Sequence, residues 1–442
     1  MTQTKLAIAF VGFAFAASTS MANAASMAEA MASAINTHPA VLAAQKDQAA
    51  IGNRIDMAKA GYKPKVDVTI GGGFENSKNQ STRFRAARAS GKDGHVEMWR
   101  REARITARQT IFDGFQTKSR VAQERNRFTS AAYHVMDVQN QLALRAAEAY
   151  LGVLHAREQI ALAEENLGTH QSYMNKIQAR VSGGRSSASD IQQVQGRTAL
   201  AVANVEAAKG DLKKAEAAYL EAVGEMPSNP TKEATPFGTI PGNTRGAIDR
   251  AMSQSPVIAS AMADIKAANA ELAEAKSVFC PRVEFEGGAS QNQDLDGVEG
   301  PNNDVTAMIM VRQNLYNGGY DVAQRKERTE RVKQAQDMLE AERRQVEQAV
   351  IDSFARMETA KARLQPLTQH VEAAMSTRNA YSSQFDIGQR TLLDLLDSEV
   401  EFNNAKSALI DGKYELDAAA YSVLAHMGDL APAGAANMVA SK

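Results

Sequence analysis

Hydrophobic residues alternate with polar residues in four separate segments of the chain. These segments lie at about residues 66–70, 105–111, 283–285 and 305–315. A period of two is typical of strands that have one apolar face and one polar face. The pattern therefore predicts two strand hairpins, at about residues 64–113 and 281–317, with long tips at about residues 75–100 and 289–303.

A helical period of three and four residues begins after Gly114 and again after Gly318. It continues without proline over about residues 114–181, and with the single interruption of Pro366 over about residues 318–386. At a rise of 1.5 Å per residue, each segment predicts a helix roughly 100 Å long. Alanine is abundant and is the strongest helix former, so we expect long helices packed side by side in a coiled-coil-like bundle or tube.

The two hairpin-plus-helix segments match each other as copies of one unit. The hexapeptide Gln109–Gly114 matches the hexapeptide Gln313–Gly318 at an offset of 204 residues, at the junction of strand and helix. Pro64 matches Pro281 at an offset of 217 residues. The first copy therefore carries 13 additional residues before the junction. They are rich in Ser, Asn, Arg and Gly and are expected to form a loop.

The N-terminus has the features of an export signal. Lys5 precedes the apolar run Leu6–Ala17, and Ala22 and Ala24 form a small-residue cleavage site. The predicted organisation is a signal peptide at 1–24, a first repeat at 25–226, a proline-rich linker at 227–243, a second repeat at 244–430 and a tail at 431–442.

Composition and charge narrow the possible functions. The 50 Lys and Arg residues against 51 Asp and Glu residues give a net charge of -1, so no overall bias favours nucleic acid as a partner. The one cysteine, Cys280, cannot form an internal disulfide and is expected to pack as a small hydrophobic residue. No metal, nucleotide or nucleophile pattern is found, so we expect no enzymatic activity, no cofactor and no bound metal.

The strands are the candidates for crossing a membrane, because no apolar run of 18 residues follows the predicted signal. Four strands cannot close a barrel, since the smallest transmembrane barrels have eight, so several copies would share one. The alternation places Ile105 and Ile309 on an apolar, lipid-facing side and Arg108 and Arg312 on a polar, lumen-facing side. A helical rod with a small cap sheet and no pore is the alternative that the pattern leaves open.

The duplicated unit, its junction hexapeptides and the segment Gly388–Asp397 together resemble the TolC-like outer-membrane efflux proteins. The resemblance covers nearly the whole chain after the predicted signal, and Gly388–Asp397 is its most specific motif. It implies a mainly helical fold with a β-barrel part, in a homotrimer whose twelve strands close one barrel in the Gram-negative outer membrane. Twelve helices would then form a tunnel across the periplasm.

The resemblance also implies a gate at the periplasmic tip. By motif position Arg390 is expected to be a latch donor, with Ser189 and Asp190 as its acceptors. Asp394 and Asp397 are expected to form acidic rings around the entrance, where repulsion between carboxylates raises their pKa values. Phe385 stands where related gates often have a tyrosine. Because phenylalanine lacks the hydroxyl that makes a hydrogen bond there, the latch is expected to be weaker in this chain. Gly184 and Gly388 are the matching glycines near this tip.

The function implied is a passive exit duct in a tripartite export machine. The tip and junction motifs are most similar to members serving type I protein secretion, with a periplasmic adaptor and an inner-membrane ABC transporter as partners. The alternative is multidrug efflux through a proton-driven pump. Outer-membrane lipid is expected around the barrel.

Overall fold

The computed structural model describes residues 26–88 and 94–430 of the chain. The predicted signal peptide (1–24) and the predicted tail (431–442) lie outside the described residues. In the described part the helices are α1 Met27–Thr37, α2 Pro39–Lys59, α3 Gln80–Arg88, α4 Gln116–Ser182, α5 Ala188–Val223, α6 Thr244–Gln254, α7 Pro256–Lys276, α8 Tyr320–Asp386 and α9 Leu392–Met427.

Most of the helices occur in pairs of equal length. α1 and α6 have 11 residues, α2 and α7 have 21, α4 and α8 have 67, and α5 and α9 have 36. A short 3-10 turn follows α2 at Ala60–Tyr62, and another follows α7 at Ser277–Phe279. α8 continues through Pro366, so the sequence between its ends forms one uninterrupted helix.

Four strands form one antiparallel sheet in the order β1-β2-β3-β4. They are β1 Lys65–Ser77, β2 Val96–Phe112, β3 Arg282–Leu295 and β4 Val298–Arg312. β2 pairs with β3 in a register that places Ile105 opposite Ala289. The two halves of the chain are thereby joined in the middle of the sheet.

The long tip expected for the second hairpin is wrong. β3 runs to Leu295 and β4 starts at Val298, so the tip is the tight turn at Asp296 and Gly297. Asp296 has a φ of 54° and Gly297 a φ of 73°, the left-handed conformations of a tight hairpin turn. In the sequence, the alternation of hydrophobic and polar residues ends before the strands do, because most residues of β3 and β4 near the turn are polar on both faces.

The loop expected in the first hairpin contains helix α3. Asn79 Oδ1 accepts a hydrogen bond from Thr82 N at 3.0 Å, and Thr82 Oγ1 accepts one from Asn79 N at 2.8 Å. This reciprocal pair caps the helix N-terminus. Asn79 Nδ2 also donates to Asp296 O at 2.6 Å, so the first tip contacts the second.

The chain divides into two compact units, and each unit draws on both halves of the sequence. Unit 1 contains the residues up to Ala34, Arg145–Thr235 and Ala360–Ala418. Unit 2 contains Ile35–Leu144, Pro236–Thr359 and the residues from Ala419 onward, and it includes the sheet. The compact units therefore differ from the two sequence repeats.

The first part of the predicted linker is held in unit 1 by polar contacts. Tyr150 is 1% exposed; its hydroxyl donates to Thr231 O at 2.8 Å and accepts from Thr231 N at 3.0 Å. Thr235 Oγ1 donates to Asp417 Oδ1 at 2.6 Å, and Lys232 Nζ lies 3.3 Å from Asp417 Oδ2. Segments interrupted by proline are thus fixed by side chains of α4 and α9.

Within the described ranges, no helix combines the length and the apolar composition that crossing a lipid bilayer requires.

Candidate functional site

One face of the sheet is a continuous exposed apolar surface. Its large side chains are between 39% and 84% exposed: Val66, Val68, Ile70, Phe74, Trp99, Ile105, Ile111, Phe285, Val305, Ile309 and Val311. Apart from Ile111, which lies at a β-bulge, the pairing registers place them on the same side of all four strands. Exposed apolar patches of this extent mark a surface that contacts a membrane or another chain.

The opposite face of the sheet is polar and charged. Arg108 and Arg312, expected on a common face, both contact Glu286 Oε1, with distances of 3.1 Å from Arg108 Nε and 2.8 Å from Arg312 Nη2. Glu284 lies between Arg282 and Arg312 and is only 4% exposed. The sheet therefore separates an apolar side from a side held together by ion pairs.

The first strand-to-helix junction is tightly packed. Gly114 has a φ of 66°, and a Cβ atom there would lie 2.6 Å from both the Cys280 Cβ and the Ser277 O. Gln109 Nε2 donates to Tyr62 O at 2.9 Å. Glycine is required at position 114 by its backbone conformation and by this close approach.

The second junction has the same left-handed glycine but open surroundings in the single chain. Gly318 has a φ of 59°, and nothing lies within 4 Å of a Cβ atom built on it. Gln313 Nε2 donates to its neighbour Asn314 O at 3.2 Å. The two junctions thus differ in what packs against them and in where the strand ends, since β2 runs to Phe112 and β4 ends at Arg312.

Two tight turns in unit 1 connect α4 to α5 and α8 to α9. Gly184 and Gly388 have φ values of 71° and 82°, which glycine adopts at helix ends. Asp190 Oδ2 accepts from Ser187 N at 3.0 Å in a capping box that begins α5. Ser189 Oγ lies 2.5 Å from Ser187 Oγ in the same turn.

Arg390 contacts side chains near the end of α8. Its Nε donates to Gln384 Oε1 at 3.0 Å, and its guanidinium carbon lies 4.2 Å from the centre of the Tyr381 ring. Its Nη1 is 3.9 Å from Asp394 Oδ2. Among the described residues, no hydrogen bond or ion pair joins Arg390 to Ser189 or Asp190, so the expected latch is not formed inside one chain.

Both of the expected ring acids have partners in the chain. Asp394 Oδ2 accepts hydrogen bonds from Thr391 Oγ1 at 2.8 Å and Thr391 N at 3.2 Å. These bonds cap the N-terminus of α9, as the bond from Ser187 N to Asp190 caps α5. Hydrogen bonding by Thr391, with a smaller effect of Arg390, lowers the pKa of Asp394. Asp397 Oδ1 accepts from Arg197 Nη2 at 2.9 Å. In the single chain, the pKa of Asp394 is therefore shifted in the direction opposite to the rise expected from repulsion between carboxylates in a ring.

Phe385 is a packed core residue. It is 5% exposed in a cluster with Tyr173, Ile177, Val194, Leu392, Leu395 and Leu396. The Arg180 guanidinium lies 4.4 Å from its ring centre, and Arg180 Nη1 donates to Phe385 O at 3.0 Å. Sequence reasoning missed Arg180, although its place one turn before the α4–α5 connection made it a candidate.

A buried carboxylate lies on α9 beyond this cluster. Glu399 is 3% exposed; Tyr173 Oη donates to its Oε2 at 3.3 Å, and Arg378 Nη1 is 3.6 Å from the same oxygen. Burial raises the pKa of Glu399 more than these two groups lower it. His170 is also buried beside Tyr173, and burial lowers its pKa, with a smaller effect from Arg197. Sequence reasoning missed this cluster because its members are far apart in the chain.

The chain matches the model of the family described as outer membrane efflux protein over residues 30–225 and 247–429. The outer membrane efflux protein BepC of Brucella suis is 25% identical over 84% of this chain and 78% of its own length. The outer membrane protein TolC of Vibrio cholerae is 23% identical over 93% of this chain and 92% of its length. The alkaline protease secretion protein AprF of Pseudomonas aeruginosa is 24% identical over 62% of this chain and 59% of its length.

Solved structures show the same fold. The crystal structure of CusC superposes with a TM-score of 0.77 at 16% identity, covering 91% of each chain. The fold and the family predicted from the repeat and its motifs are therefore confirmed. The chain belongs to the outer membrane efflux protein family, and it is an export duct of the Gram-negative outer membrane.

Proposed function

We propose that this duct serves type I protein secretion, as the exit of a machine that also contains a periplasmic adaptor and an inner-membrane ABC transporter. The proposal rests on the segment Gly388–Asp397, which resembles the corresponding motif of ducts of that class. A relative named as an alkaline protease secretion protein supports it. The chain itself lacks a nucleotide-binding motif, so the transporter supplies the energy.

The duct is a homotrimer that crosses the outer membrane and extends through the periplasm. In the described part of the sheet, the outer edges of β1 and β4 have no strand beside them. Unpaired edges next to an exposed apolar face are costly in water and in lipid. Three copies supply twelve strands, which close the edges into one barrel with the apolar face toward lipid.

The internal repeat supplies the register between subunits. Inside the chain, Ile105 on β2 pairs with Ala289 on β3. The repeat offsets of 204 and 217 convert this pair into Ile309 on β4 with Gly72 of the partner subunit. The open surroundings of Gly318 fit the same arrangement, because its repeat equivalent Gly114 packs against the other half of the chain.

The two turns of unit 1 form the closed periplasmic gate of this duct. Arg390 holds the turn after α8, and in the assembled trimer it reaches Ser189 and Asp190 as latch acceptors. Asp394 and Asp397 face the narrowed entrance as rings of carboxylates. The Phe385 ring packs against Arg180 and the apolar cluster around it. This packing takes the place of the hydrogen bond that a tyrosine hydroxyl would make at this position.

A deletion strain of the host bacterium tests the secretion role. Its culture-supernatant proteins and its sensitivity to detergents and dyes are compared with those of the parent and of a complemented strain. Loss of one secreted protein with unchanged sensitivity supports type I secretion. Broad hypersensitivity with an unchanged supernatant contradicts it.

That second outcome would identify the alternative, multidrug efflux with a proton-driven pump. A specific observation favours this alternative: BepC, which is named an efflux protein, matches a larger share of the chain than AprF does.

A further inference from the structure

Each strand of the sheet carries a cation at the end that joins the helices. Lys65 begins β1, Arg108 lies near the end of β2, Arg282 begins β3 and Arg312 ends β4. The pairing registers place all four on the polar face. We call these four residues the basic belt.

The basic belt places like charges directly opposite each other. Lys65 pairs with Arg108, and Arg282 pairs with Arg312, in neighbouring strands. Like charges at directly opposed positions destabilise a sheet. Two such pairs at equivalent positions of the repeat break a local rule, and such breaks are expected where a sequence serves a function.

Nearby carboxylates offset only part of this charge. Glu284 and Glu286 contact the three arginines of the belt at distances from 2.5 to 3.1 Å. Within the described ranges, no ion pair is formed by Lys65. Within the basic belt, the four cations therefore outnumber the two carboxylates that contact them.

Two more cations extend the belt toward the helices. Lys63 and Arg120 line, with all four belt residues, a groove of about 650 Å³ between the sheet, the end of α2 and the start of α4. Neither has an ion pair in the part of the chain that the structure describes. Asp113 also lines the groove, but its Oδ2 accepts hydrogen bonds from Thr117 N and Thr117 Oγ1 at 2.8 and 2.5 Å. The groove thus has a positive net charge and faces open solvent in the single chain.

We propose that the basic belt, with Lys63 and Arg120, is an anion-binding ring in the lumen that takes phosphate or carboxylate groups of the cargo. The proposal rests on the duct proposed above, because threefold symmetry is what repeats the belt around one axis. Rings of Lys and Arg select anions in pores. The belt lies on the polar face, opposite the apolar surface, so its ligand comes from the lumen and not from a lipid headgroup.

Ion selectivity tests the ring. The triple variant Lys63→Gln/Lys65→Gln/Arg120→Gln removes the cations that have no acid partner and leaves the arginine–glutamate contacts in place. Its reversal potential is measured in phosphatidylcholine bilayers under a KCl gradient. We expect the chloride-to-potassium permeability ratio to fall at least about threefold relative to the wild type. Inorganic tripolyphosphate should block the wild-type current at about tenfold lower concentration than it blocks the variant.

The control variant is Lys209→Gln/Lys213→Gln/Lys214→Gln, which removes three exposed cations from α5 and should leave both values unchanged. A conducting variant with an unchanged ratio and unchanged block overturns the ring. Loss of trimers on a native gel shows that the cations pair with a neighbouring subunit, and this also overturns it. An effect seen only after anionic phosphatidylglycerol is added assigns the cations to lipid and overturns the lumen ligand. Absence of any conductance in both the wild type and the Arg390→Ala variant contradicts the duct itself.

Discussion

At the scale of single residues, motif position predicted which charged groups lie near the turns of unit 1 but not the contacts that they make inside the chain. Arg390 lies at the turn where the resemblance placed it, yet its contacts are to Gln384 and Tyr381. The carboxylate of Asp394 accepts hydrogen bonds from Thr391 and so helps to cap the N-terminus of α9. Such contacts depend on side-chain direction at a turn, which a linear pattern does not contain.

Gly114→Ala should destabilise the protein more than Gly184→Ala. Both glycines have a left-handed backbone, with φ values of 66° and 71°, so each substitution has a strain cost of about 1 kcal/mol. Only at Gly114 does the new Cβ atom meet Cys280 and Ser277 at 2.6 Å, which adds about 1–3 kcal/mol. The midpoint of thermal unfolding in detergent measures both variants, and equal midpoints would contradict the packing described for this junction.

Glu399→Gln should stabilise unit 1 increasingly as the pH rises. Because burial raises the pKa of Glu399 in the folded chain, its contribution to stability is complete below the unfolded pKa and is lost as the pH rises through the folded pKa. Glutamine keeps an acceptor for Tyr173 and never ionises. The difference between the melting temperatures of variant and wild type should therefore grow from pH 5 to pH 8, and a constant difference would rule the effect out.

At the scale of elements, the spacing of hydrophobic residues and the positions of glycine and proline predicted the existence of the strands and long helices. The tip of the second hairpin was wrong because hydrophobic and polar residues alternate weakly at the polar strand ends. α3 was missed because a short polar helix is recognised mainly by its Asn79 cap. The burial of Glu399 depends on which helices pack together, so it was not accessible from the pattern of one helix.

Arg390→Ala should raise the single-channel conductance, because it removes the proposed latch donor of the periplasmic gate. The matched control is Arg356→Ala on α8, an exposed arginine whose ion pair is with Asp352 of the same helix, and it should leave conductance unchanged. Recordings in planar bilayers compare the two. An Arg390→Ala channel that conducts like the wild type would refute the latch.

At the scale of the whole molecule, the repeat explains how one chain becomes a closed duct. Inside the chain, Gln123 Nε2 donates to Glu271 Oε1 at 2.7 Å, which joins α4 to α7. The repeat offsets convert this contact into Glu327 with Arg54 of the partner subunit, a pair of opposite charge. Arg54 is exposed and has no ion pair among the residues that the structure describes.

Charge reversal tests this contact between subunits. Arg54→Glu and Glu327→Arg should each shift detergent-solubilised protein from trimer toward monomer, because each places like charges together. The double variant restores opposite charges and should recover trimers. Size-exclusion chromatography with light scattering measures the populations, and a double variant no better than the single variants would exclude this pair.

The most direct test of the account concerns which face of the sheet lines the channel. Cysteine is placed at Thr106 on the polar face or at Ile105 on the apolar face, each in a Cys280→Ser background, and a charged water-soluble thiol reagent is added during bilayer recording. We expect the reagent to reduce the current through Thr106→Cys and to leave the current through Ile105→Cys unchanged. Block of Ile105→Cys alone, or of neither variant, would contradict a duct with the apolar face toward lipid.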